Sequence, residues 1–159
     1  MVDSNKLFKY AINYLSKYSS SKANLENILK SKIRRLKVEK KDKFVLYNSI
    51  DGIIDKLEKN KYIDDDNYTL TKIRGFVFQG KSRLFIKSYF FKKGIDINII
   101  SKSLDLFDTE NPNWELESAK TYVRKKRLLL DSQDKDKKLS KMARAGFSYE
   151  ISIKILDKI

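Results

Sequence analysis

Apolar residues recur at helical spacing along most of the chain. Between Lys43 and Lys59 they fall on one stripe, which comprises Leu46, Ile50, Ile53, Ile54 and Leu57. Spacings of three and four residues place such side chains on one face of an α-helix, from which they can pack into a core. The pattern therefore predicts a helix over this segment, followed by a turn at "KNKYIDDD".

Capping residues and glycines divide the middle of the chain into three more predicted helices. Aspartate and serine accept hydrogen bonds at helix starts, and glycine adopts the left-handed conformation that ends a helix. The predicted caps are Asp64, Ser82 and Asp96, and the predicted stops are Gly80 and Gly94. The helix after Ser82 carries Ile86 and Phe90 on its core face. Leu84 and Phe91 form a second apolar stripe, which favours a helix buried on two sides over the alternative of a partner contact.

The last third of the chain is also predicted to be helical. Pro112 and the acidic "DTENPNWE" predict a linker. Helices are expected over Trp114–Leu130, Lys137–Ala145 and Tyr149–Ile159. With one proline and five glycines among 159 residues, the chain lacks the turn residues that a β-sandwich or barrel needs. The sequence predicts an all-α protein.

The segment "GFVFQGKS", Gly75 to Ser82, fits the phosphate-loop pattern G-x-x-x-x-G-K-[ST]. A phosphate loop follows a buried strand, and its backbone curls around phosphates. Here the preceding "TLTKIR" has no strand-like apolar run, and the inner positions are bulky residues at helical core spacing. Gly80, Lys81 and Ser82 are better interpreted as helix stop, connector and helix cap. The match is taken as a coincidence, and ATP binding is the minority hypothesis.

The chain also contains segments that resemble one another. "KKGIDINII" (Lys92 to Ile100) and "RAGFSYEIS" (Arg144 to Ser152) share a helix end, a glycine, an apolar residue and a capping Asp or Ser. An earlier and weaker copy is "NLENILKSKI", in which Ile33 replaces the glycine. Such periodicity predicts an elongated tandem array of three three-helix repeats, with boundaries at 1–63, 64–110 and 111–159. The alternative is that helical proteins simply reuse glycine stops and polar caps.

The amino-acid composition excludes several kinds of catalytic and metal site. Cysteine and histidine are both absent, which removes thiol nucleophiles, imidazole acid–base catalysis and zinc sites built on those residues. No catalytic constellation, cofactor site or metal site is apparent, and the acidic run Asp64–Asp66 is better interpreted as helix capping than as metal ligation. No apolar run reaches the length of a membrane span. We expect a cytoplasmic, non-enzymatic protein.

The net charge of +14 favours a polyanionic partner. Seven bases and no acid lie between Thr69 and Lys93, and five bases and no acid lie between Ala119 and Arg127; one base and six acids separate these two basic blocks. Either block could instead be a solvated helix face. The candidate contact residues are Lys72, Arg74, Lys81, Arg83, Lys87, Lys92, Lys93, Lys120, Arg124, Lys125, Lys126 and Arg127.

Several segments in order, "AINYLSKYSSSKANLENILKSK", "YIDDDNY", "GKSRLFIKSYFFKKGID" and "ARAGFSYEISIKIL", resemble the RecX family from about Leu7 to the C-terminus. The first repeat departs from the family pattern, with Lys32-Ile33 where Lys-Gly is usual. Two smaller departures are Tyr68-Thr69 in place of an aromatic-alanine pair and Ala145 in place of a basic residue before Gly146.

The resemblance implies a function that the composition alone does not. RecX-like proteins are non-enzymatic regulators of the RecA recombinase in recombination, DNA repair and the SOS response. They bind the RecA–DNA filament, lie in its helical groove and restrain it. The implied partners are thus the RecA filament and single-stranded DNA, either within the filament or directly, and we expect a monomer. The alternatives are a direct nucleic-acid-binding protein and, from another class, a small ATPase.

Overall fold

The computed structural model describes residues 3–129 and 134–157. These residues form nine α-helices and no β-strand, which confirms the all-α prediction. The helices are α1 (Ser4–Lys17), α2 (Lys22–Arg35), α3 (Lys40–Lys59), α4 (Asp65–Phe78), α5 (Arg83–Lys92), α6 (Ile97–Glu110), α7 (Trp114–Lys125), α8 (Lys135–Arg144) and α9 (Tyr149–Leu156). In this part of the chain, no helix combines the length and the apolar character that a bilayer crossing requires.

The predicted caps are present where the sequence placed them. The Asp64 carboxylate accepts from the backbone N–H of Asn67 at 3.1 Å, and Ser82 Oγ accepts from Phe85 N–H at the same distance. Asp96 accepts from Asn98 N–H at 2.8 Å. Each side-chain oxygen satisfies an N–H that lacks a partner within its own helix, which fixes where that helix begins.

The predicted glycine stops are confirmed as well. The φ values of Gly80, Gly94 and Gly146 are +84°, +73° and +93°. They lie in the left-handed region, which residues with a Cβ rarely adopt. After α8, the N–H of Phe147 donates to the carbonyl of Met142 at 3.1 Å. This bond pairs a carbonyl that the helix leaves unsatisfied.

Two helix ends differ clearly from the prediction, and α8 begins at Lys135 where the helix was expected to begin at Lys137. Helix α6 is 14 residues long and continues through Glu110, so Asp108 and Glu110 of the predicted linker belong to α6. Glu115 belongs to α7, and only residues 111–113 connect the two helices. Helix α7 stops at Lys125, although the expected helix ran to Leu130, which lies outside the described residues. The expected end of the last helix, Ile159, also lies outside them.

The early end of α7 coincides with a left-handed residue and a buried leucine. Arg127 takes the left-handed conformation at φ 53°, and the N–H of Leu128 donates to the carbonyl of Val123 at 3.0 Å. The side chain of Leu128 is fully buried. Burial of this leucine compensates for the cost of a left-handed arginine, which is a tertiary effect that helical spacing in the sequence does not reveal.

The chain forms two compact units. Unit 1 is the chain up to Tyr68 together with Lys93–Ile95, and unit 2 is Thr69–Lys92 with the chain from Asp96 onward. In unit 1, helices α1, α2 and α3 pack on one another around Leu25, Leu29 and the stripe of α3. Ile33, which replaces the glycine of the weak first copy, is buried inside α2, and that helix continues to Arg35.

In unit 2, α9 packs against both α7 and α8, and α5 packs against α6. Helices α7, α8 and α9 surround a core that includes Val123, Leu128 and Met142. On α5, Ile86 and Phe90 are buried as predicted, but Leu84 and Phe91 are 63% and 72% exposed. The interpretation of α5 as a helix buried on two sides is therefore wrong. The division into three repeats at 1–63, 64–110 and 111–159 stays a prediction.

Candidate functional site

The Gly80-Lys81-Ser82 segment lies between the end of α4 and the start of α5. It follows α4, which contains "GFVF", so no strand precedes it. A Cβ on Gly80 would lie 2.9 Å from the backbone nitrogen of Tyr122, because the glycine backbone approaches α7 closely. Ser118 Oγ donates to the carbonyl of Lys81, and Ser82 Oγ donates to the carbonyl of Ala145 at 2.7 Å. The segment that matches the phosphate-loop pattern thus acts as helix stop, connector and cap.

The same segment forms one wall of a basic cleft of about 690 Å³ in unit 2. The ends of α4, α7 and α8 and the start of α5 supply the other walls. The cleft is lined by Gln79, Gly80, Lys81, Phe85, Tyr122, Lys125, Lys126, Arg144 and Ala145. Four of these side chains are cationic, and none is acidic. Two segments more than forty residues apart in sequence, one from each predicted basic block, therefore meet at one cavity.

Two of the four cations are held by the protein itself. The ammonium of Lys81 lies 4.6 Å from the ring centroid of Phe85, a cation–π contact, and Lys125 Nζ donates to the carbonyl of Gln79 at 3.3 Å. Lys126 and Arg144 are exposed and have no acidic partner among the described residues. An anion that entered the cleft would find two positioned cations and two available ones.

Tyr122 contributes a polar edge to the cleft. Its hydroxyl donates to the carbonyl of Lys141 at 3.4 Å, and its ring lies 5.5 Å from that of Phe147. Burial raises the pKa of Tyr122, and the charge of Arg144 opposes that shift. The phenol therefore stays neutral near pH 7 and adds no negative charge to the cleft.

The structure does not bring all twelve candidate residues together. Lys81, Lys125 and Lys126 line the cleft, whereas the others lie outside its lining. Lys72 and Arg74 belong to α4, Lys87 and Lys92 to α5, Lys120 and Arg124 to α7, and Lys93 and Arg127 follow helix ends. Lys120 forms an ion pair with Glu117 at 2.7 Å, the short-range i,i+3 arrangement of a solvated helix surface.

Arg83 is engaged inside unit 2. Its guanidinium donates to the Asp108 carboxylate, lies 5.3 Å from the ring centroid of Trp114, and has Glu115 at 3.8 Å. Asp108 also accepts from the Trp114 indole N–H at 2.7 Å. Asp108 and Glu115 lie 25 and 32 residues after Arg83 in the sequence, so a count of charges over residues 69–93 does not include them.

The neighbouring Glu115 has a raised pKa. Burial raises its pKa above the ordinary 4.5, while a hydrogen bond from the Arg83 backbone N–H and the Arg83 charge act in the opposite direction. The net upward shift indicates that desolvation of the carboxylate outweighs its pairing. This cluster joins α5, α6 and α7, and its two acids compensate the charge of Arg83.

Sequence reasoning missed Arg144. It is the last residue of α8, in "RAGFSYE", the segment that aligns with "KKGID" in the repeat comparison. In that alignment Arg144 occupies the place of Lys92, which was included among the candidates. The same comparison could therefore have identified it. What the comparison could not supply is the tertiary packing that places Arg144 beside Lys126.

The acidic run Asp64–Asp66 serves helix starts, as predicted. Asp64 caps α4, and the Asp65 carboxylate accepts from the backbone N–H of Lys22, the first residue of α2, at 2.9 Å. Burial raises the pKa of Asp65, and Lys22 opposes the shift. Among the residues that the structure describes, no group of three or more acids is arranged to hold a metal ion.

Comparison with known proteins gives a consistent result. No family model matches the chain. The chain is 25% identical over 155 residues to the regulatory protein RecX of Myxococcus xanthus (strain DK1622), covering 92% of this chain and 82% of that protein. It is also similar to the crystal structure of RecX from Lactobacillus salivarius, with a TM-score of 0.73, 30% identity, and coverage of 98% of this chain and 97% of that one.

A second solved structure, of a regulatory protein RecX, has the same fold. It gives a TM-score of 0.71 at 19% identity, with coverage of 98% of this chain and 72% of that chain. The similarity to the Lactobacillus salivarius protein extends over nearly the full length of both chains. Together with the ordered sequence segments described above, it shows that this chain belongs to the RecX family.

Proposed function

We propose that the protein is a non-enzymatic regulator that binds the RecA recombinase and its DNA filament and inhibits recombinase activity in recombination and DNA repair. The proposal combines membership of the RecX family with one structural observation. The two basic blocks, far apart in sequence, meet at the cleft lined by Lys81, Lys125, Lys126 and Arg144. A concentration of cations without acids is the electrostatic footprint expected for contact with nucleic acid.

The cleft is suited to the sugar–phosphate backbone of the filament DNA. Lysine and arginine neutralise phosphates and release condensed counterions, which supplies most of the sequence-independent binding free energy. Arg144 can donate two parallel hydrogen bonds to one phosphate, whereas the lysines act as point charges. None of these contacts reads a base, which fits a regulator that acts wherever a filament forms.

The salt dependence of binding tests this role. Replacing Lys126 and Arg144 by glutamine removes the two available cations of the cleft while keeping long polar side chains. We expect weaker binding to RecA filaments on single-stranded DNA and a slope of log K against log salt that is shallower by about 1.4, since each phosphate contact on a single strand contributes about 0.7. Fluorescence anisotropy across a salt series measures both quantities.

A matched control has the same net charge. Lys37→Gln with Lys40→Gln removes two exposed lysines that are not part of the cleft lining, and should leave the slope near that of the parent. If the two double variants lose the same amount of affinity and slope, the cleft has no special role and only net charge counts. If the parent binds naked DNA as tightly as the filament, the alternative of a direct nucleic-acid-binding protein replaces our proposal.

A further inference from the structure

Helix α5 presents an apolar stripe to solvent that the basic cleft does not use. Leu84 and Phe91, seven residues apart, are 63% and 72% exposed, and the exposed Lys87 and Ser88 lie between them on the same face. The opposite face, with Ile86 and Phe90, is fully buried. The stripe is thus the outer surface of a helix whose position is already fixed by its own core.

This stripe has the composition of a protein-docking surface. Apolar anchors at i and i+7 on a helix fit a hydrophobic groove of a partner, and aromatic residues are enriched at the centre of such contacts. Lys87 and Lys92 lie on α5 beside the anchors, and α5 contains no acid. We propose that the face comprising Leu84, Lys87 and Phe91 docks into an apolar groove flanked by carboxylates on a protein surface.

The inference rests on the proposed function, in which that surface belongs to the recombinase protomers of the filament. It assigns two contacts to two faces of unit 2: the cleft takes phosphates, and the α5 face takes protein. The side chain of Phe85 belongs to the cleft, whereas Leu84 and Phe91 do not line it. Phosphates offer no apolar surface, and of the two anchors only Phe91 has a ring that can stack on a base, so nucleic acid would leave Leu84 without an apolar partner.

Two other occupants fit less well. A membrane-binding helix buries a wide apolar face in lipid, but α5 is held in its unit by Ile86 and Phe90, and Leu84 and Phe91 form only a narrow exposed stripe on it. A second copy of this chain would have to bring Lys87 and its neighbours against the same cations in a two-fold contact, on molecules that each carry a net charge of +14. Charge complementarity favours an acidic protein surface.

The test replaces the two anchors without disturbing the core. Leu84→Gln with Phe91→Gln keeps helix propensity and removes the apolar stripe. The control, Phe44→Gln with Val45→Gln, removes two comparably exposed apolar side chains of α3, which are 67% and 57% exposed. Binding to RecA filaments and to naked single-stranded DNA is measured for the parent and both variants, with circular dichroism melting as the check on folding.

We expect the α5 variant to lose roughly a hundredfold in filament affinity, since truncating one interface anchor often costs about tenfold. Its affinity for naked DNA should change by less than about twofold, because the cleft is intact. Unchanged filament binding overturns the docking face while leaving the proposed function standing. An equal loss in the Phe44/Val45 control overturns it as well, because any exposed apolar pair would then serve.

Two further measurements address the other occupants. Sedimentation velocity should give the same mass for the parent and the α5 variant. A dimer that the variant abolishes would assign the face to a second copy and overturn the inference. Vesicles of phosphatidylserine should capture the parent and the α5 variant alike, through charge. Capture that depends on Leu84 and Phe91 would assign the face to a membrane. If the parent fails to bind the filament at all, the proposed function itself is wrong.

Discussion

At the scale of single residues, the glycines differ in whether their positions can accept a side chain. Gly146 has φ +93°, and an added Cβ would collide with Ser82 and lie 3.2 Å from the Cβ of Leu84. Gly52, inside α3, has nothing within 4 Å of such an atom. We expect Gly146→Ala to lower the free energy of unfolding by about 1 kcal/mol or more, and Gly146→Val or Gly94→Val to do so by at least as much.

Gly52→Ala should act in the opposite direction and raise stability by up to about 1 kcal/mol, because alanine loses less backbone entropy in a helix. Urea unfolding of the pair provides the comparison. Equal stability changes at both positions would mean that the left-handed turn after α8 is not a structural requirement. The repeat assignment based on these glycines would then lose its support.

Glu115 makes a pH-dependent contribution whose sign follows from its raised pKa. The folded state favours the protonated carboxyl, so its contribution to the free energy of unfolding is greatest at low pH. That contribution is lost as pH rises from the ordinary value of 4.5 through the raised folded pKa. The unfolding free energy of the parent minus that of Glu115→Gln should therefore fall over this window. Urea titrations of both proteins between about pH 4 and pH 8 measure it. A difference that rises with pH would show that pairing with Arg83 outweighs burial.

At the scale of elements, the sequence predicted the helices well where one local rule was decisive. Asp64, Ser82 and Asp96 accept from their own first turns, and the glycine stops have positive φ, because caps and left-handed residues depend on a few neighbouring atoms. The apolar stripe of α3 is buried for a similar reason, since 3.6-residue periodicity is a property of the helix alone.

What the sequence did not reveal depended largely on contacts between residues distant in sequence. The early end of α7 depends on burial of Leu128. The charge of Arg83 is compensated by Asp108 and Glu115, which a window of neighbouring residues could not reveal. The two basic blocks could be identified from the sequence, but not that Lys81 and Lys126 share one cleft or that Arg144 joins them. Such proximity is created by packing, so only the three-dimensional structure contains it.

The segment with the phosphate-loop pattern is expected to serve the fold and not to bind ATP. Ser82 caps α5 and bonds to the carbonyl of Ala145, so its hydroxyl is committed to the fold. We expect Mg-ATP to give no heat of binding in calorimetry and no hydrolysis. Ser82→Ala should instead lower the free energy of unfolding by about 1–2 kcal/mol through loss of the cap and the bond. Saturable ATP binding that disappears in Lys81→Ala would contradict this account.

At the scale of the whole molecule, the net charge of +14 is concentrated by the fold. The cleft gathers four cations, whereas Arg83 is compensated and Lys120 forms a local ion pair. The α5 face adds two apolar anchors that charge counting ignores. A partner that offers both phosphates and an apolar, acidic protein surface would satisfy both features, which is the role we propose for the nucleoprotein filament.

The most direct test of this account is co-sedimentation with RecA filaments formed on single-stranded DNA, compared with the same DNA alone, at physiological salt. We predict that the protein pellets with the filament at concentrations at which naked DNA retains much less of it, and that the same concentrations inhibit RecA-driven strand exchange. Protein that stays in the supernatant with the filament, or that binds both forms of DNA equally and leaves strand exchange unchanged, would contradict the proposed function.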